Sequence, residues 1–152
     1  MSFRSLAAID QELIVRAAQV HALMPMMQFS VAPWRVLSPE NLATCRRMAA
    51  LHTEQGASIL GLARASARTG EPIVRSLEYA WPHRGYVDVL DQFLLGPDIL
   101  VAPVVEKGAR RRRLLVPPGR WRGDDGTVVS GPTSVEIDAA LDRLPWYRRI
   151  GS

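Results

Sequence analysis

Within the stretch MPMMQFSVAPWRVL, residues 24–37, three side chains suit the holding of a polyhydroxylated ligand. Gln28 brings an amide that both donates and accepts hydrogen bonds, and Ser30 brings a hydroxyl. Trp34 brings a flat aromatic face. Gln28 and Ser30 lie two positions apart, so an extended chain presents both on one side. The stretch has no carboxylate, so it can bind and orient a ligand but cannot shuttle protons. Met24, Met26 and Met27 suit the packing of an irregular wall.

The other chemistry-bearing residues are dispersed. Asp10 and Glu12 fall in a helical pattern, and Asp124-Asp125-Gly126 suits a hairpin turn. His21, His52 and His83 lack metal-ligand spacing, so neither a metal nor a cofactor is expected. The single cysteine, Cys45, excludes an internal disulfide and fits a reducing compartment; its helical setting makes it a packed residue. No Gly-x-Ser-x-Gly elbow, Gly-rich phosphate loop or Cys-x-x-Cys pair occurs. The run ARRRR, residues 109–113, in a chain of net charge +4 and pI near 10.0, raises nucleic-acid binding. A hairpin with a solvated basic tip accounts for it equally well. No helix-turn-helix, zinc spacing or aromatic RNA-binding strand accompanies it, so a nucleic-acid partner is not expected.

These residues need elements to position them, and the pattern supplies two kinds. Ile9, Leu13, Ala17, Val20 and Met24 recur at helical spacing until Pro25. MMQFSV follows as a short apolar strand. Ser38-Pro39-Glu40 then opens a second helix as cap, first-turn proline and dipole-favoured acid. Leu42, Cys45, Met48 or Ala49, and His52 mark its inner face. Gly56 and Gly61 predict a break or kink, and Thr69-Gly70 a stop. From PIVRSLEYAW onward the period changes to that of strands. DQFLLGPDILVAPVV, RRRLLVPPGRW and TVVSGPTSVEIDA are short β segments punctuated by Gly-Pro, Pro-Pro-Gly and Asp-Asp-Gly. The order is α-β-α-β followed by a small all-β part, with a boundary between residues 84 and 97. Two strands with helices before them cannot bury both faces of a sheet, so the pattern looks like the end of something larger.

Four segments carry a resemblance: MPMMQFSVAPWR, TGEPIVRSLEYAWP, DQFLLGPDILVAPVVEKGARRRRLLVPPGRW and LDRLPWYRRIGS. In this order they resemble the C-terminal third of glycoside hydrolase family 31, enzymes acting on α-linked sugars. The resemblance implies an α/β plus all-β architecture. Residues 1–89 would form the last two strands and helices of a (β/α)8 catalytic barrel, and residues 90–152 a small β-sandwich domain after it. It also implies that the two catalytic aspartates of a retaining mechanism lie upstream of MPMMQFS, because neither motif occurs here. No catalytic residue is therefore expected within the chain, and alone it is expected to be inactive.

In many members the strand end carries Arg-x-His; here Gln28 and Ser30 stand in those places. The resemblance makes Gln28, Ser30 and Trp34 the expected substrate-binding residues, with Trp34 equally able to anchor its loop. Arg75 is expected in an ion pair. The expected partner is an α-linked saccharide in the full-length enzyme, with a complementing N-terminal chain, or a role as a non-catalytic carbohydrate-binding or interaction module, as the alternatives. Neither a membrane-spanning run nor a secretory leader is evident, so a cytoplasmic location is expected.

Overall fold

The computed structural model describes residues 9–151. Asp10 caps helix α1 (Gln11–Ala22) by accepting a hydrogen bond from the Leu13 N–H. After a turn, residues 26–29 run extended but pair with no strand among the described residues. The strand expected from MMQFSV is thus a lone extended segment. A tight 3-10 turn at Pro33–Arg35 leads into α2 (Pro39–Glu54), and Ser38 caps α2 as its sequence predicts. The chain breaks at Gln55 and continues as α3 (Gly56–Thr69), which Gly70 ends in the left-handed conformation. Gly61 does not interrupt α3.

The strands follow: β1 (Val74–Arg75), a one-turn helix α4 (Leu77–Ala80), β2 (Phe93–Leu95), β3 (Ile99–Val101), β4 (Arg111–Gly123), β5 (Val128–Asp138) and β6 (Trp146–Gly151). They form one antiparallel sheet in the order β1-β2-β3-β6-β4-β5. The strand expected over PIVRSLEYAW shrinks to two residues, because Ser76 caps α4 immediately afterwards. Pro-Pro-Gly does not end a strand either. Pro117 and Pro118 lack amide donors, so the β4–β5 ladder skips them between Val116 and Gly119 and then resumes. Opposite this bulge a Cβ at Gly131 would collide with the carbonyls of Val116 and Pro117, so only glycine fits.

The core has two halves, one on each side of β2 and β3. Leu95, Ile99 and Val101 face Val15, Ala18, Ala22, Cys45, Met48 and Ile59 of the helices. Leu94 and Leu100 face the other way, toward Leu114, Val116, Trp121 and Tyr147. Strand β3 is covered on both faces, which explains its unbroken apolar run. Gly96, at a φ of 61°, brings the β2–β3 turn against Leu62 of α3, where a Cβ would lie 2.7 Å from a leucine methyl.

One expectation about α1 is overturned. Its buried face is Val15, Arg16, Ala18, Gln19 and Ala22, not the stripe through Leu13, Ala17 and Val20. Leu13 is 56% exposed. The two polar residues on the inner face hid it from a search for apolar periodicity. Both are donors to the turn between β5 and β6. Arg16 donates to the carbonyls of Ala139 at 3.1 Å, Ala140 at 3.2 Å and Ala109 at 3.0 Å, and Gln19 donates to Leu141 at 2.7 Å. Arg16 and Gln19 therefore fasten the helices to the β part, and they supply the donors for the Ala139 and Leu141 carbonyls.

Candidate functional site

The turn after α1 and the cap of α2 fix the two ends of residues 24–37. His52, near the end of α2, donates from Nδ1 to the Ala22 carbonyl at 3.2 Å and so ties α2 to the last turn of α1. At the other end, the Gln11 side chain accepts from the Ser38 N–H at 2.8 Å and from the Asn41 amide at 2.9 Å. Between these clamps, Met27 and Phe29 turn inward against the helical core. Met26, Gln28 and Ser30 turn outward. The alternation of an extended chain holds even without a ladder partner.

Gln28 and Ser30 are exposed on the same side and line a shallow depression of about 540 Å³ with His21, Met26, Met27 and His52. Trp34 does not join them. It is 70% exposed and flanks a separate apolar depression with Phe29, Pro33, Leu42, Cys45 and Arg46. The structure thus brings two of the three expected residues together and leaves the third around the corner of Phe29. Met26, expected as packing, is 82% exposed. These groups can donate and accept hydrogen bonds and offer an aromatic face.

The acidic residues singled out in the sequence are engaged elsewhere. Asp10 pairs with Lys107 at 2.6 Å and Glu12 with Arg110 at 2.6 Å. The bonds from Lys107 and Arg110 hold both carboxyls below the usual carboxylate range. Asp124 and Asp125, in the β4–β5 turn, share the guanidinium of Arg143 at 2.8 Å each; its bond to Asp124 raises the Arg143 pKa. Among the described residues no group of three or more His, Cys, Asp or Glu is placed to hold a metal. Cys45 is buried, and burial pushes its thiol pKa up, away from nucleophilic use. Arg75 donates to the Pro72 carbonyl at 2.9 Å and pairs with Glu71 at 3.5 Å, as expected.

The basic run is not a hairpin tip. It leads into β4, where alternate side chains take opposite faces. Arg111 pairs with Asp138 at 3.0 Å, and Arg113 donates to the Ser134 hydroxyl at 2.6 Å. Arg112 is buried; it pairs with Asp91 at 2.9 Å and donates to the Pro103 carbonyl. Charge spent in this way offers no phosphate clamp. Sequence reasoning missed Arg112 as well as Arg16 and Gln19. The signal for Arg112 was its place between Arg111 and Arg113 in a period-two strand, facing the same way as Leu114.

The fold so described is an antiparallel β module with a helical layer on one face. Residues 70–152 match the sequence profile of the glycosyl hydrolase family 31 C-terminal domain. The chain is 41% identical over 135 residues to the myogenesis-regulating glycosidase of Mus musculus, covering 88% of this chain and 19% of that protein. In structure it superposes on a Flavobacterium johnsoniae dextranase complexed with isomaltotriose. The TM-score is 0.86 at 28% identity, over 99% of this chain and 20% of that one. An α-xylosidase from a soil metagenome, complexed with xylose, gives a TM-score of 0.82 at 26% identity, over 91% of this chain and 25% of that one. This chain belongs to glycosyl hydrolase family 31. It spans about a fifth of the length of the curated relatives it matches. No helix among the described residues is long and apolar enough to cross a membrane.

Proposed function

We propose that the chain is the C-terminal portion of a hydrolase of α-linked glycosides. In this reading residues 1–89 complete a (β/α)8 barrel, and residues 90–152 form the β-sandwich domain that buttresses it. Gln28 and Ser30 contact sugar hydroxyls from the barrel wall, while Trp34 stands beside them at a separate depression. Both catalytic carboxylates come from outside these 152 residues, so the isolated chain does not hydrolyse glycosides. The observation that carries the reading is the segment 26–30. It lies between the clamps at Ala22 and Ser38, alternates inward and outward side chains, has no ladder partner among the described residues, and presents Gln28 and Ser30 together. An extended backbone with unpaired donors and acceptors calls for neighbouring strands, and a barrel would provide them.

The test replaces the corresponding C-terminal part of the F. johnsoniae dextranase with this chain. The chimera is expected to hydrolyse an α-linked saccharide, while the 152-residue chain alone shows no turnover. In the chimera, Gln28→Ala or Ser30→Ala should each lower kcat/KM about tenfold, the worth of one hydrogen bond kept in the transition state. A soluble chimera without activity, or turnover by the chain alone, overturns the proposal.

The exposure of Trp34 favours a second reading, a carbohydrate-binding or interaction module without catalysis, acting alone or beside a complementing N-terminal chain. Calorimetric titration of the chain with isomaltose or xylose separates the two. Saturable binding that Trp34→Ala abolishes would support the module.

A further inference from the structure

Arg120, Arg122, Arg148 and Arg149 of the β part make no ion pair among the described residues; Arg149 lies over the Trp121 ring, and the other three share one place on the sheet. Arg120 and Arg122 lie two apart on β4, and Arg148 on β6 stands directly opposite Arg122 in the ladder. All three are exposed. Ile99, opposite Arg148 on its other side, belongs to the half of the core that faces the helices, so these side chains share that face of the sheet. Among the described residues no carboxylate lies within ion-pair distance of any of them. Arg148 makes a long contact of 3.4 Å to the Gln55 amide oxygen and lies over the Trp146 ring, 5.9 Å from its centroid.

Like charges placed directly across a ladder are destabilising. Nearby the fold avoids that arrangement: Arg111 stands opposite Asp138 and Arg113 opposite Glu136. On the lower half of the same hairpin the partners of Arg120 and Arg122 are Ser130 and Val128, which bring no negative charge. The closest acids in sequence, Asp124 and Asp125, are already committed to Arg143.

We infer that Arg120, Arg122 and Arg148 form a docking surface for an acidic polypeptide segment from outside these 152 residues. Three guanidiniums on one sheet face suit bidentate pairing with successive carboxylates. The surroundings fit protein more than nucleic acid. Val128 and Ile150, both exposed, give the aliphatic contact that accompanies arginine at protein interfaces. The nearest aromatics offer no free platform for stacked bases, since Trp121 is buried and Trp146 is packed against the helical core. The inference stands apart from the sugar-binding reading, which involves none of these residues.

The test measures fluorescence anisotropy of a labelled oligoglutamate peptide titrated with the 152-residue chain. Binding is expected at about 50 mM salt and should weaken steeply by about 300 mM. Arg122→Glu with Arg148→Glu should weaken it about tenfold or more, while Arg111→Glu with Arg113→Glu should change it less than about threefold. If the first pair disturbs folding, seen by circular dichroism, Arg122→Gln with Arg148→Gln should still weaken binding. Absence of binding at low salt, or equal loss from both pairs, would overturn the inference. So would tighter binding of oligothymidylate with the same arginine dependence, which would make the surface a nucleic-acid site.

Discussion

The helical region, residues 11–69, and the strand region, residues 93–151, spend their side chains differently. In the strand region the bulkiest apolar groups are enclosed: Leu94, Leu100, Leu114, Trp121 and Tyr147 are all sealed from solvent, and Val105, Val128 and Ile150 are the exposed exceptions. Arg112 and Arg143 lie in networks that use nearly all their donors. The helices leave Leu13, Met26, Trp34 and Leu60 in the open, and Leu13, Ala17 and Val20 line an apolar groove with Val104 and Val105. A region that buries its own apolar surface can be stable by itself. One that exposes it is shaped for contact, which agrees with a chain spanning a fifth of its relatives.

The contrast can be broken most forcefully in the strand core. Trp121→Ala removes a buried ring whose indole N–H donates to the Pro117 carbonyl at 3.0 Å. It should cost about 3–5 kcal/mol in urea unfolding, enough to unfold a marginal domain. A cost below about 1 kcal/mol would mean that the strands are not the stable half. Arg16→Met tests the fastening between the regions. It leaves the Ala139 carbonyl without its donor and takes one donor each from Ala109 and Ala140, and should cost about 1–3 kcal/mol. Because the damage lies at the junction, hydrogen exchange should quicken first in α1 and in residues 139–143.

Acid should act on the same junction. The folded-state pKa values of Asp10 and Glu12 lie below their ordinary ones. Their contribution is therefore complete above the ordinary carboxylate range and lost as pH falls through the lowered values. The urea midpoint should begin to drop below about pH 5 and go on falling past about pH 3, and Glu12→Gln should flatten that dependence. Unchanged slopes would show that Arg110 and Lys107 contribute little to holding α1. The smallest effect is expected at the exposed end of the comparison. Met26→Ser or Trp34→Ser should alter stability by less than about 0.5 kcal/mol, and a larger loss would place these residues inside the fold's own core.

Much of this organisation was legible. The Ser38 cap, the break before Gly56 and the stop at Gly70 follow from local chemistry, and local chemistry decided them. The buried run over Ile99–Val101 was legible for the same reason. What stayed hidden depended on distant partners. The inner face of α1 carries Arg16 and Gln19, whose acceptors lie more than a hundred residues away in the β5–β6 turn. Strand β6 went unmarked because Arg148 and Arg149 interrupt its alternation. Segment 26–30 showed its alternation correctly but not its lack of a neighbour. Of the candidate site, the shared side of Gln28 and Ser30 was readable from their spacing. The separation of Trp34 was not, since the Pro33–Arg35 turn sets it.

The strand order has a consequence for how this part of the chain is made. Strand β6, the last in sequence, lies between β3 and β4 in the middle of the sheet. During synthesis the β4–β5 hairpin can form as soon as it emerges, and β2 can pair with β3. These two ladders have no shared edge until residues 146–151 leave the ribosome and slot between them. A polypeptide interrupted before Trp146 therefore holds two half-sheets with open edges facing each other, a state that invites pairing with other nascent chains. Six residues at the far end decide whether the preceding strands become one domain.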